Sequence, residues 1–519
     1  MSWLLAVAPI LLLVALVARS RWSTGAKAVL TAAAATVIAA IAFQSGPGVL
    51  AVAVGKGLWS GIWILYVVWP ALLLYQVGVG AGLDRMGATF ANVLPREVEN
   101  VLLVAWVFPS FIQGVAGFGT PIAMAAPLLL AMGVGPVLAV ALPLVGYHWS
   151  VTFGSMGSSF YMAAVTANLG PGEQARFAGE AALMLTVNML LAGMLVCLLH
   201  GGVRSLREGA RMLAVAGGAM AVVLNLVVRL EPSIGSLAAG AAGLAAVGGL
   251  RARSRVGVRA PSRPSTVAAA VGGTAPSLTV LLPYGYLLIA VLAVLVPPAS
   301  RAFVQDHLLL APSFPATRTG FGITNEAVAQ YTPIALLGHP GTYILLSAVL
   351  GYLTYRATGT WADATTGGVL RTWLGKARRS SLSVLALTVL ATVMVDSGMV
   401  RAIAEGAAGF TGAAFPALSP VIGAVGSFTT GSTTTSNALF AALQHDVADL
   451  IGVQPAHLLA AQTVGGNVGN VLAPVVMLIG VTAIDGEEHM DAVFRRVARP
   501  AALRTAVTIA ATFVLTTTG

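Results

Sequence analysis

The chain has 519 residues, 57% of them hydrophobic and only 9% charged, with a mean hydropathy of +0.88, where a soluble globular chain carries roughly 25% charged residues. Its formal net charge is +10. In a soluble protein that would suggest nucleic acid, but here lysines and arginines cluster between apolar runs, as the positive-inside bias of membrane proteins requires, and no nucleic-acid partner is expected.

Apolar runs approaching the roughly 20 residues needed to cross a bilayer recur from end to end. In chain order the clearest lie at 3–17, 28–43, 58–79, 128–145, 178–199, 212–228, 234–250, 278–296, 333–355, 382–400, 458–481 and 501–517. With the shorter and interrupted segments, about 12 to 14 spanning elements are expected, plus re-entrant pieces. The runs are continuous and do not alternate, which excludes a barrel. The first run has no basic residue before it and Arg19 and Arg21 after it, the pattern of a retained helix and not of a signal peptide. Basic clusters at Arg204–Arg211, Arg251–Arg263, Lys376–Arg379 and Arg495–Arg499 are assigned to the cytoplasm. That leaves 44–48, much of 301–330 and the N-terminus outside, with Arg318 and the Pro-Gly-Thr-Tyr run after His339 in outer loops. Cys197 is the one cysteine, so neither an internal disulfide nor a cysteine metal site is expected.

Four polar, glycine-rich interruptions stand out: 113–127 and 146–159 in the first half, 426–437 and 463–474 in the second. Gly119 and Gly154 are 35 residues apart, as are Gly431 and Gly466. Interruptions at corresponding places in two halves are the signature of inverted-repeat transporters. A helix broken inside the membrane frees backbone groups that cost several kcal/mol each if they face lipid, so breaks belong where they line a cavity or find side-chain partners. The freed N–H groups at a half-helix N-terminus favour an anion. The run "GSFTTGSTTTSN" at 426–437 therefore reads as one wall of a small-anion site. Close packing of small residues is the plainer explanation for the chain's isolated glycines and alanines.

These segments also carry a family resemblance. "FPALSPVIGAVGSFTTGSTTTSNALFAALQ" (415–444) and "GVAGFGTPIAMAAPLLLAMG" (114–133) resemble the signatures of the bacterial lactate permease family. "VMVDSGM" (393–399), "AAQTVGGNVGNVLAP" (460–474) and "TFGSMG" (152–157) follow in the family's order. The resemblance implies proton symport of L-lactate, D-lactate or glycolate, and two inverted repeats with helical hairpins as in ion-coupled carboxylate transporters. The family pattern has a Glu where this chain has Gln113, an Asp at Thr433, a Lys at Asn470, and an Asn-Thr pair where Tyr147 and His148 stand. Several ionisable groups of the family's site are thus neutral here.

Ionisable residues inside spans are functional candidates by default. Asp396 is the carboxylate best placed to carry a proton; its plainer role is an ion pair with Arg401. His148 changes charge between about pH 5 and 8 when unperturbed and could bind a carboxylate when protonated. Lys56 has a stem long enough to reach the membrane surface.

The reading is an all-α polytopic membrane protein of two inverted repeats with re-entrant or broken helices, on the pattern of ion transporters. Residues 1–250 form the N-terminal repeat, 251–277 a cytoplasmic basic linker and 278–519 the C-terminal repeat. Function follows as a secondary transporter of a small monocarboxylate, first of all a 2-hydroxy acid such as lactate or glycolate, in the bacterial inner membrane and driven by protons. The alternatives are a transporter of another small organic anion with sodium coupling or none and, out of class, an intramembrane enzyme, with a homodimer as one option. The candidate substrate-binding residues are Gly117, Gly119, Thr120, His148, Thr430, Ser432, Thr433, Thr434, Ser436, Asn437 and Asn467, with Asp396 and His148 for the proton. No cofactor or metal is expected: "DGEEHMD" at 485–491 has nothing to fix a coordination geometry. There is no GxxxxGK[ST] phosphate loop for an ATP-driven pump. An intramembrane serine protease would need Ser and His on facing helices, and "GSMGSS" shares one segment with His148.

Overall fold

The structure, a computed structural model of the chain, describes residues 2–19, 22–85, 94–117, 119–254, 278–361 and 365–518. The basic linker expected at 251–277 lies, from residue 255 onward, outside the described residues. The helices in order are α1 (Ser2–Arg19), α2 (Thr24–Ala42), α3 (Pro47–Gly80), α4 (Glu97–Val115), α5 (Thr120–Ala131), α6 (Pro136–Tyr147), α7 (Ser158–Thr166), α8 (Pro171–Val227) and α9 (Gly235–Ser254). The second half continues with α10 (Leu282–Leu295), α11 (Pro298–Asp306), α12 (Pro340–Ala357), α13 (Thr366–Asp396), α14 (Met399–Thr411), α15 (Phe415–Thr430), α16 (Thr433–Ile451), α17 (Pro455–Val471), α18 (Pro474–Thr482) and α19 (Met490–Thr518).

Among the described residues eight helices are long and apolar enough to cross a membrane, or ten if each of two bent pairs counts as one span. The expected runs at 178–199 and 212–228 lie on the two arms of α8, two helices that meet at the non-helical Gly201 and Gly202 and fold back on each other; Gly202 has φ 67°. Asn225 Nδ2 donates to Thr186 Oγ1 at 2.8 Å and closes this hairpin. The run at 128–145 is not one crossing. α5 stops at Ala131, Gly133 takes φ 88°, and Pro136 opens α6. Hydropathy registers apolar composition but not a change of direction. The run at 458–481 bends by 42° between α17 and α18. The run at 333–355 becomes helical only at Pro340, so the Pro-Gly-Thr-Tyr expected in an outer loop is the first turn of α12. His339 caps it, its Nδ1 accepting from Gly341 N at 3.2 Å.

The segment between α11 and α12 forms two short antiparallel ribbons. β1 (Leu309–Leu310) pairs β4 (Ile334–Ala335) with Leu309 opposite Ala335, and β2 (Thr317–Arg318) pairs β3 (Thr324–Asn325) with Thr317 opposite Asn325. Indole N–H groups of α3 hold this cap down: Trp59 donates to Thr332 O at 2.9 Å and Trp63 to Pro333 O at 3.2 Å.

Small residues let the helices touch backbone to backbone. α15 lies on α17 along a glycine seam. A Cβ added at Gly423, Gly465 or Gly469 would stand 1.9, 2.0 and 2.0 Å from the carbonyl oxygens of Gln462, Pro420 and Ala424. No side chain fits there, so Gly465 and Gly469 of the run "GGNVGN" are required by packing.

Candidate functional site

Three of the four segments are broken within, and the fourth, 463–474, stays helical through Val471 and breaks only near its end. α4 ends at Val115, and Gly119, left-handed at φ 82°, precedes α5. α6 gives way at Tyr147 to a short 3-10 turn, His148–Ser150, and the chain re-enters helix at Ser158 after Gly157 at φ 72°. α15 ends at Thr430, Gly431 turns at φ 70°, and Ser432 caps α16, its hydroxyl accepting from Thr435 N at 3.2 Å. α17 and α18 are separated by Leu472 and Ala473.

Parts of all four segments meet. Ser155 N and Met156 N of the second segment donate to Gln113 O and Gly114 O of the first, at 2.7 and 3.1 Å. Asn437 of the third reaches the second and fourth together: its Nδ2 lies 2.8 Å from Ser159 O, 3.2 Å from Ser159 Oγ and 3.0 Å from Thr463 Oγ1. Thr463 Oγ1 is also 3.2 Å from Thr152 Oγ1. Asn467 Nδ2 donates to Trp149 O at 3.1 Å. Ser436 Oγ donates to Gly423 O at 3.1 Å and accepts from Gln462 Nε2 at 3.3 Å. The result is a buried polar band between the two halves of the chain. Asn437, Thr463, Asn467 and Gln462 are each 0% exposed. Asn437 Oδ1, Asn467 Oδ1 and Gln462 Oε1 have no hydrogen-bond partner among the described residues. Buried acceptors without donors cost about 1–3 kcal/mol each, so the band is an arrangement suited to a guest that brings donors.

The other candidates fall into three places. Gly117 is buried against Ser155 and Gln113, beside the band, whereas Gly119 faces Ile479 of α18 and Thr120 approaches Tyr75. Thr430 and Ser432 shape their own turn: Thr430 Oγ1 donates to Gly426 O at 2.7 Å and accepts from Ser432 N at 3.3 Å. Thr433 is buried, 3.4 Å from Ser427 Oγ, and Thr434 is half-buried one position along α16. His148 is buried, its Nδ1 2.7 Å from Leu144 O and its ring 4.2 Å from that of Tyr147.

Asp396 and Lys56 form a buried ion pair with each other, Lys56 Nζ to Asp396 Oδ2 at 3.0 Å. Arg401, the expected partner of Asp396, pairs instead with Glu405 one helical turn on at 2.9 Å. Lys56 does not reach for the membrane surface; it turns inward, 5.8 Å from the centre of the Tyr331 ring. Sequence reasoning missed several buried charged residues, Glu99, Glu231 and Arg504 among them. Arg504, midway along α19, is 1% exposed. Its Nε donates to Asn188 Oδ1 at 3.2 Å and its Nη1 to Val145 O at 3.1 Å. The signal was legible: Arg504, Thr508 and Thr512 recur every four residues, a polar stripe on one face of an apolar helix. A surface cleft of about 480 Å³, lined by Gln76, Asp84, Arg85 and Thr372 among others, shares no residue with the band. Among the described residues no group of three or more His, Cys, Asp or Glu is placed to hold a metal ion.

The sequence model of the family described as "L-lactate permease" matches residues 2–517. The L-lactate permease of Escherichia coli K12 is 27% identical over 474 residues, covering 88% of this chain and 85% of its own. The glycolate permease GlcA of the same organism is 27% identical over 528 residues, covering 94% and 91%. The crystal structure of the Alcanivorax borkumensis YdaH transporter superposes over 88% of this chain and 86% of that one, with a TM-score of 0.50 and 15% identity, a likeness of fold.

Proposed function

The chain belongs to the L-lactate permease family, and we propose from that premise that it is a secondary active transporter of a small monocarboxylate, a 2-hydroxy acid such as lactate or glycolate, moved together with protons. It is a multi-pass protein of the inner membrane, and its relatives are permeases, not enzymes. The observation that carries the reading is the buried band where all four segments meet, with amide oxygens of Asn437 and Asn467 lacking donors among the described residues. A substrate hydroxyl is a donor of the right kind.

In this reading residues 1–250 and 278–519 are the two inverted repeats, and each gives two breaks to the site. Ser436, Asn437 and Asn467 face the substrate with His148 and Gly117 beside them. Thr430 and Ser432 hold the α15–α16 turn, and Gly119 and Thr120 set the start of α5. Asp396 carries the coupling proton: protonation neutralises it and frees Lys56, so the ion pair that joins α3 to α13 opens and closes with proton binding. The test is uptake of labelled lactate and glycolate into vesicles reconstituted with the protein, under an imposed inward proton gradient. Accumulation above the outside concentration that collapses with the gradient supports the reading. Uptake of neither acid above protein-free vesicles overturns it.

A further inference from the structure

Arg504 sits halfway along the last helix, in the interior of the helix assembly. Arginine stays protonated in proteins, so this position holds a fixed positive charge. Among the described residues no carboxylate lies within ion-pairing distance of it. Its two partners, Val145 O and Asn188 Oδ1, are neutral. Asn188 is itself held by Nδ2 donating to Thr508 Oγ1 at 3.2 Å, which fixes the guanidinium plane from two sides. The third nitrogen, Nη2, is buried and has no partner among the described residues.

The plain structural role is a cap. Val145 O loses its helical partner where α6 breaks at Tyr147, and Nη1 satisfies it. That role explains Nη1. It explains neither the uncompensated charge nor the idle Nη2 edge, both of which are costly in a dry interior.

Resting on the reading of the chain as a monocarboxylate transporter, we propose that Arg504 is the carboxylate-binding residue of the site, with Nη2 offering the open side of a guanidinium fork to the substrate. The placement fits. Arg504 binds the carbonyl of Val145 and Asn467 binds that of Trp149, four residues further along the same broken segment. The two side chains are thus anchored about one turn of chain apart, and a short hydroxy acid would set its carboxylate at Arg504 and its hydroxyl at Asn467 Oδ1. The same arrangement selects a single negative charge. Lys56, a buried cation on α3, is already paired with Asp396, so it offers no counter-charge to a second carboxylate.

The test measures affinity by ligand-induced thermal shift of the purified full chain in detergent. The ligands are lactate, glycolate, a panel of other short monocarboxylates, succinate and the neutral amide of lactic acid. The parent is stabilised by a monocarboxylate and by neither succinate nor the amide. Arg504→Gln loses about ten- to a hundredfold in affinity, the usual worth of a hydrogen bond to a charged group. Arg504→Lys, which keeps the charge but not the fork, falls between. Should Arg504→Gln fail to fold, Asn188→Asp decides: it places a carboxylate 3.2 Å from Nε, fills the guanidinium from within, and abolishes binding in a folded protein. A folded Arg504→Gln or Asn188→Asp with the parent's affinity for lactate overturns the arginine and leaves the transport reading standing. A parent that ignores lactate and glycolate but binds another monocarboxylate, lost in Arg504→Gln, overturns the hydroxy-acid reading and supports the arginine. A parent that binds no monocarboxylate overturns both.

Discussion

Lys56 Nζ lies 3.0 Å from Asp396 Oδ2, although the two residues are 340 positions apart in the chain, and both side chains are 7% exposed. The pair sits under the ribbon cap, where Asn325 Nδ2 donates to Asp396 O at 2.9 Å and Tyr331 packs over the lysine. An ion pair in this position links α3 to α13 and is sensitive to any event that discharges the carboxylate.

Asp396→Asn leaves the lysine buried without its counter-charge, which costs about 3–5 kcal/mol. The single variant is expected to melt earlier in detergent than Lys56→Met/Asp396→Leu, in which both charges are gone and similar volume is kept. Both variants are expected to retain lactate counterflow in vesicles and to lose proton-driven accumulation. If Asp396→Asn accumulates substrate as the parent does, the pair is a structural bolt and the proton travels elsewhere.

The hydroxyls of the 426–437 run are predicted to divide into two kinds. Thr430 spends its hydroxyl on its own turn, so Thr430→Val is expected to cost about 0.5–1.5 kcal/mol of stability with substrate affinity unchanged. Asn467→Ala removes the buried amide aimed at the band and is expected to weaken affinity about tenfold or more. Equal affinity losses in both variants, measured by thermal shift or direct binding, would contradict this division.

Gly465→Ala and Gly469→Ala each put a methyl about 2.0 Å from a backbone carbonyl oxygen, of Pro420 and Ala424 respectively. Neither α15 nor α17 can yield by rotating a side chain. Both variants are expected to give little folded protein by size-exclusion profile, whereas alanine at Gly179, which has open space around it, is neutral. Normal yields of Gly465→Ala would show that the seam is looser than drawn.

Tyr161 OH donates to the buried Glu231 Oε1 at 2.5 Å, and Ser233 N donates to the same oxygen at 3.0 Å. Tyr161→Phe keeps the ring's contact with Trp63 but removes one donor from the carboxylate. A loss of about 1.5–3 kcal/mol is expected, read as a lowered thermal midpoint. Tyr161→Phe with the parent's midpoint would mean that Glu231 is satisfied without it.

How much of this was legible in the sequence depends on the kind of signal. The breaks were readable because Gly, Ser, Thr and Asn in an apolar chain have few other reasons to cluster, and the left-handed Gly119, Gly157 and Gly431 sit inside them. The turn inside 128–145 was harder: "AMGVGP" is short, and its glycines look like the many packing glycines elsewhere. Asp396 and Lys56 could each be flagged as costly, but nothing local pairs residues on α3 and α13, and the nearby Arg401 offered a false partner. Arg504 was hidden by its neighbours, since Arg495, Arg496 and Arg499 make a basic flank into which a further arginine blends. Only the recurrence of Thr508 and Thr512 on the same face separates it from them.

Where α15 and α17 touch through Gly423, Gly465 and Gly469, carbonyl oxygens rest where methyl groups would otherwise be. Surfaces meshed this closely have no intermediate positions available: one helix cannot creep along the other by a fraction of a residue without collision. The pair is therefore a single lever arm. Any swing that exposes the band first to one side of the membrane and then to the other has to pivot at the ends of that arm. Gly412, at φ 49° just before α15, and the two non-helical residues between α17 and α18 are the joints the chain supplies there.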